Sequence, residues 1–487
     1  VKENQEVSEI WKYIDDHFEQ HLEKGRDYLR IPSVSLTDTE EGRTQMMRGA
    51  EFVLKLYEEI GADGEIVPTT GFPIVYGKLL SKNPQAKTVL IYLQYDVQPA
   101  DEKEWKFPPF EARIVNAEEI DAPAKLGKVI CARGAMDQKL PGLAILNAAK
   151  SMLAVTGDVP VNFLFMAEGE EEITSPSILE FIEKYKHELG KASAELAGGR
   201  MQDINGIARI DLGWRGLVAG ELHCEGGEWG GPAQRVLFST DDAWVDAPIW
   251  RLTWALNSIK DTSGKVLIDG FYDNIVPPTP QEKGWIEKIE ESWDEEESSF
   301  PAGKKVLGIK KYRRGLSGRD LLYDYFFTPV FNIDGIEGGY TGPKVKTNLP
   351  HRAYAKFDIR LVPNQDPDDI ILKLRKHLYT HGFPEVEVHI TQGIYPPAVR
   401  VPFESDIIQA AVRTFEKMGV KYVVNPQYWA AGPHEKIRRP LGLSGRGLHF
   451  GVCHGDRYHS ANEYLTVKGL KDSEKSWVTY LYEYSKL

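Results

Sequence analysis

The sequence predicts an α/β protein whose mainly parallel central sheet is interrupted by an α+β insertion. Three observations predict it. Thr88 to Leu93 and Val161 to Met166 are almost continuously apolar, as strands buried on both faces must be. A helical pattern, Leu143 to Val155, lies between them and gives the β-α-β rhythm of parallel pairing. From about Trp214 to Thr391 the character changes. There Arg352 to Val362 sets Tyr354, Lys356, Asp358 and Arg360 against Ala355, Phe357, Ile359 and Leu361, the alternation of a strand.

Taken in order, Ile10, Trp11, Ile14, Phe18, Leu22, Tyr28 and Leu29 recur at helical spacing between Val7 and Ile31. A second helix, Met47 to Ile60, stops at Gly61. The insertion adds a strand-like Leu217 to Leu222 and helices over Trp250 to Ile259 and Pro367 to His381. After Pro396 come helices over Ser405 to Met418 and Thr466 to Tyr484. The acid-rich Glu287 to Glu297 reads as a solvated helix face. At 487 residues the chain exceeds one ordinary core. Roughly 150 residues per domain predicts two or three domains.

Fifty-nine basic and 72 acidic residues leave a net charge of −13, which argues against nucleic acid or an anionic membrane as partner. No apolar run reaches the roughly 18 residues that would span a bilayer. Val1 to Glu9 is polar, without an apolar signal core. Cys131, Cys224 and Cys453 form neither a disulfide framework nor a C-x-x-C pair. A cytoplasmic, reducing setting is the expectation, with a leader already removed as the alternative.

Ligands of such sheets bind beyond the carboxyl ends of the strands. Gln94 to Asp96, Arg133 to Lys139 and Glu168 to Glu172 are polar clusters of that kind. In the last, four carboxylates in five residues repel one another unless something positive sits among them. A divalent cation does this, and a spare carboxylate then serves as general base toward water. A surface acidic turn is the plainer alternative. Asp137 lies in a glycine-containing loop before a helix, where it can project into a cleft. His454 and His459 offer imidazole to zinc, although a lone histidine is more often structural.

These segments, in this order, resemble the M20 metallopeptidase family of deacylases, desuccinylases and carnosinase-like dipeptidases. The resemblance covers nearly the whole chain: Tyr95 to Pro99, Arg133 to Lys139, Glu168 to Pro176, Gly270 to Asp273, Phe331 to Gly335, Arg360 to Asp366 and His459 to Glu463. It implies a zinc-peptidase-like catalytic domain over 1–213 and 393–487, with a lid and dimerisation domain over 214–392. It also implies Asp137, Glu172 and His459 as metal ligands and Glu171 as general base. Asp96 falls at the carboxylate that stands behind a histidine ligand and orients it, and Arg360 and Asn332 at lid positions that help to hold substrate.

Three positions depart from that pattern. Gln94 stands where the second metal's histidine is expected, and an amide oxygen is a poor zinc ligand beside imidazole. Ala197 stands at that metal's carboxylate, with Glu195 and Asp211 as the nearest substitutes. The lid histidine falls near Phe238, where no histidine lies. The two metal-site losses belong to one metal, so the expectation is one Zn or Mn per chain and hydrolysis of a small dipeptide-like or N-acyl amide, in a homodimer. Two alternatives stay open: a two-metal enzyme using Gln94 with Glu195 or Asp211, and a retired binding protein. His454, His434 and His351 are further substrate-contact candidates.

Overall fold

The computed structural model describes residues 2–199, 201–298, 300–392 and 397–487. The apolar run Thr88–Gln94 forms the middle of a six-stranded sheet, buried from Val89 to Gln94. It pairs in parallel with Asn162–Glu168 on one side and Ala194–Gly198 on the other. Gly447–Phe450, from the far end of the chain, continues the parallel set beyond Ala194–Gly198. Ile74–Leu79 and Asp63–Val67 finish the opposite edge as antiparallel strands. The expected mainly parallel sheet is present.

Helices cover both faces, as burial of both sides of the parallel strands requires. Lys2–Leu29, Lys139–Thr156 and Val467–Ser485 form one layer. The middle helix is apolar almost all round because it is sandwiched between the sheet and its neighbours. A buried polar knot ties the three together: Glu474 lies 2.8 Å from His21 Nδ1 and accepts from Asn147 Nδ2 at 2.8 Å. On the other face, Ile178–Leu189 and the short helix His434–Arg438 enclose Tyr92, Leu164, Ala197 and Ile437.

The middle of the chain builds its own antiparallel sheet, ordered Val330–Gly338, Arg352–Leu361, Gly216–Glu225, Val386–Gln392. The alternation in Arg352–Leu361 is realised: Ala353, Ala355, Phe357, Ile359 and Leu361 all point into a second core. Helices Pro248–Ile259 and Pro367–Thr380 pack on that core.

Helices Pro280–Ser292 and Gly318–Phe327 make a separate cluster around Ile286, Leu322 and Phe326, packed against Val423 of strand Tyr422–Asn425. The expected insertion 214–392 therefore carries two apolar cores, one of them facing the C-terminal part of the chain. Its expected end at 392/393 borders 393–396, which lie outside the described residues. In the acid-rich run, Glu287 and Glu291 are exposed on helix Pro280–Ser292 over buried Ile286 and Ile289, as a solvated helix face requires. The helix ends at Ser292, however, and Glu296 and Glu297 are exposed in the turn that follows.

Candidate active site

Three chain segments converge beyond the carboxyl ends of the parallel strands. Asp137 sits in the loop entering helix Lys139–Thr156, Glu171 and Glu172 in the turn after Asn162–Glu168, and His459 in the C-terminal segment. His459 Nε2 lies 3.0 Å from Asp137 Oδ2 and 3.1 Å from Glu172 Oε2. One ligand atom from each of the three lies within 4.8 Å of the others. Zinc bonds of about 2.0–2.2 Å in tetrahedral array place donors roughly 3.3–3.6 Å apart. Two carboxylates and an imidazole at this spacing therefore fit one divalent ion.

Each donor is locked by a neighbour. Glu463, fully buried, accepts from Gly134 N at 3.0 Å, Met136 N at 2.9 Å, Asp137 N at 3.0 Å and Arg133 Nη1 at 2.8 Å. One carboxylate thus ties the Asp137 loop to the His459 segment. His459 itself has φ +55°, between the left-handed Arg457 and Asn462, so the loop turns sharply to aim its imidazole. Glu172 accepts from Gln98 Nε2 at 2.9 Å and from Gln94 Nε2 at 3.3 Å. Gln94 therefore steadies Glu172 through its amide N–H. Asp96 accepts from Glu171 N at 3.3 Å and Glu172 N at 3.0 Å, so it holds the acidic turn.

The four clustered carboxylates divide their work. Glu168 accepts from Tyr92 at 2.5 Å and Ser175 at 2.9 Å, and Glu170 from the amides of Phe72 and Ser177. Both brace the turn. Glu171 and Glu172 face the donors above. Burial, then the charges of Glu172, Asp137 and Asp96, push Glu171 well above the usual carboxylate range. Burial also raises Glu172 against its bond to His459, and raises Asp96 with help from Glu172 and Glu168. Hydrogen bonds to Asp137 and Glu172 lift His459 to about 10. This concentration of negative charge is what a cation would neutralise.

Asp137, Glu171 and His459 open on a cavity of about 450 Å³ that Gln94, Arg209, Asp211, Trp214, Arg360, Trp429, His434 and His449 also line. On its far wall His434 Nδ1 lies 3.0 Å from Glu195 Oε1, and His434 Nε2 lies 2.8 Å from His449 Nε2. Burial works to raise Glu195, but Arg438 and His434 outweigh it and keep the group low and ionised. An ionised carboxylate only accepts, so His434 donates from Nδ1, and its Nε2 shares one proton with His449 Nε2. Burial, then His434 and Arg438, push His449 well below the usual imidazole range. Ala197 stands between Tyr92 and His449 on adjacent strands. The His434 ring is 4.9 Å from Tyr92 and 4.4 Å from His449, so it spans the space a longer side chain at 197 would fill.

The structure separates the remaining sequence candidates. Glu195 is engaged by Arg438 and His434, and Asp211 by Arg209 Nε at 3.0 Å and Asn425 Nδ2 at 2.7 Å. Neither joins the three-donor group, because each already serves a buried cation or amide. Arg360 reaches the cavity with its Nε on Asp358 at 3.0 Å. Asn332 bonds Asp334 and Asp358 and does not line the cavity, and neither does His351. His454 lines a neighbouring chamber, and Phe238 is an exposed residue of a short strand. Sequence reasoning missed Glu463, Gln98 and His449. The first two lie inside quoted motifs, but their role depends on contacts across the fold.

A mainly parallel sheet ending in a carboxylate-imidazole donor set beside a spare glutamate defines a metal-dependent amide hydrolase. The family model for peptidase family M20/M25/M40 matches residues 90–483, and the chain belongs to that family. It is 26% identical over 506 residues to mouse Beta-Ala-His dipeptidase, covering 99% of this chain and 96% of that one. It is 27% identical to the Cys-Gly metallodipeptidase DUG1 of Saccharomyces cerevisiae, with 99% and 98% covered. Among solved structures, an M20 family metallo-carboxypeptidase from Sulfolobus solfataricus superposes with a TM-score of 0.79 at 31% identity, covering 96% and 99%. The expected metallohydrolase class and its use of divalent metal stand.

Proposed function

We propose that this chain hydrolyses the amide bond of small dipeptide-like substrates with one divalent ion, Zn or Mn, held by Asp137, Glu172 and His459. The observation that carries this reading is the meeting of those three donors with Glu171 at the mouth of one cavity. The Beta-Ala-His and Cys-Gly dipeptidases named above support the substrate class. A bound ion supplies Lewis acidity, lowering the pKa of water and polarising the amide carbonyl. Glu171 takes the proton of the attacking water and returns it to the departing amine. Asp96, Glu463 and Gln98 fix the donors, and Arg360 offers its remaining N–H groups to a substrate carboxylate.

A single ion fits because Gln94 donates to Glu172, the His434–His449 pair spans the space over Ala197, and Glu195 and Asp211 are committed elsewhere. The reading includes a catalytic unit from 1–213 and 393–487 and a lid from 214–392. Dimerisation through that lid is supported by its edge strand, where Val330 and Ile336 are 40% and 62% exposed. Three buried cysteines that form no disulfide among the described residues support a reducing, cytoplasmic setting. The acidic charge speaks against nucleic-acid or membrane partners. Elemental analysis of wild type and His459→Ala, with turnover of Cys-Gly and β-Ala-His, tests the core of the proposal. One ion per chain, lost in the variant, is expected. Two tightly bound ions would restore the two-metal alternative, and metal binding without turnover across a wide amide panel would favour a binding protein.

A further inference from the structure

A second chamber of about 450 Å³ adjoins the metal-site cavity and shares Arg209, Trp429 and Tyr458 with it. Aromatic rings lead from one to the other. Tyr458 lies 5.9 Å from the His459 ring, Trp429 6.1 Å from Tyr458, Phe300 6.4 Å from Trp429, and Tyr325 6.0 Å from Phe300. Tyr325 belongs to helix Gly318–Phe327 and Phe300 to the loop after helix Pro280–Ser292, so this part of the insertion walls a space beginning one residue from a candidate metal ligand. The cation in the shared wall is neutralised: Arg209 lies 4.5 Å over Phe300 and is paired with Asp211 at 3.0 Å. The shared wall thus offers ring faces and a compensated guanidinium, which suit an uncharged aromatic group, and Asp456 on the remaining lining, beside His454, disfavours an anionic one.

We infer that this chamber receives an uncharged aromatic group carried on one side of the scissile amide, which makes the enzyme selective for substrates bearing such a group. The inference rests on the amide-hydrolase reading above. Apolar size differences of this kind discriminate by roughly 10–200-fold.

The test compares kcat/KM of the metal-loaded enzyme for Phe-Gly against Ala-Gly and for Gly-Phe against Gly-Ala. In parallel, indole binding is measured by calorimetry on the same protein. Val306 lines the chamber and is 56% exposed, so Val306→Trp fills the space without disturbing a core. The expected result is a preference of about tenfold or more for one phenylalanine dipeptide over its alanine counterpart. Val306→Trp should bring that ratio toward one and abolish indole binding. Equal or reversed preference overturns the inference, and so does absence of indole binding to wild type. If none of these dipeptides is turned over, the hydrolase reading is decided by the wide amide panel above, and indole bound by wild type but not by Val306→Trp still sustains the aromatic chamber.

Discussion

Glu171 and Glu463 are both buried carboxylates, yet their surroundings give them different tasks. Glu171 faces the donors with no basic partner among the described residues, and burial with nearby negative charge raises its proton affinity, as a group that accepts a proton from water requires. Glu171→Gln is expected to retain the ion and lose about 10²–10⁴-fold in kcat, measured by elemental analysis beside steady-state turnover. Equal activity would remove Glu171 from the chemistry. Glu463 instead receives one guanidinium and three amides. Glu463→Ala leaves Arg133 buried without its partner, so a loss of about 3–5 kcal/mol in urea unfolding is expected. Weaker metal binding should accompany it, because the Asp137 loop loses its anchor. His459, held at about 10 by Asp137 and Glu172, keeps its proton at neutral pH until a cation displaces it. Metal binding should therefore release at least one proton between pH 7 and 9 and tighten as pH rises. Calorimetry in buffers of different ionisation enthalpy reads that proton directly, and uptake instead of release would contradict the assignment.

Among elements, the packing of helices decides where polar groups can be tolerated. Glu474 sits in helix Val467–Ser485 and joins it to Lys2–Leu29 and Lys139–Thr156 through His21 and Asn147. Glu474→Ala leaves both partners buried and unsatisfied, and a loss of about 3 kcal/mol is expected by chemical denaturation. Glu474, His21 and Asn147 are not among the three donors or the groups that hold them, so the folded fraction should still bind one ion per chain. Strand Ala194–Gly198 is constrained in another way. Ala197 lies beneath His434 between Tyr92 and His449, and Ala197→Leu overfills that space at a cost of about 1–3 kcal/mol. A variant as stable as wild type would show that the imidazole pair yields easily.

For the molecule as a whole, folding concentrates Asp96, Asp137, Glu171 and Glu172 around one point. His459 bound to two carboxylates has a raised pKa, so its stabilising effect is present below the unfolded value and is lost as pH rises through about 10. The raised carboxylates Glu171, Glu172 and Asp96 act with the same sign, since ionising them in place opposes folding as pH climbs above their unfolded values. Metal-free protein should therefore melt at lower temperature at pH 9 than at pH 6. A divalent ion at one fixed concentration, 100 times its Kd at pH 9, should restore about 2.7 kcal/mol there, and less at pH 6, where protons compete for the ligands and binding is weaker. Scanning calorimetry at both pH values checks the sign, and a larger rise at pH 6 would contradict it.

The chain alone determined the fold class, and its resemblance to the M20 family singled out the candidate donors. Period-2 and near-continuous apolar runs mark strands locally, and Asp137, Glu171, Glu172 and His459 lie in short motifs that carry that resemblance. It also revealed that Gln94 and Ala197 depart from a two-metal pattern. Only the tertiary structure decided what took their place. Glu195 looked available because it lies two residues from Ala197, whereas Arg438 and His434, distant in sequence, already hold it. Asn332 looked like a substrate contact, and the register of its strand instead leaves it on Asp334 and Asp358, away from the cavity lining. Glu463 acquires its role from amides more than 300 positions away, and the aromatic chamber from rings on separate helices and loops. Hydrophobic period and donor chemistry are properties of short segments, but partnership and cavity shape are fixed only when distant segments pack.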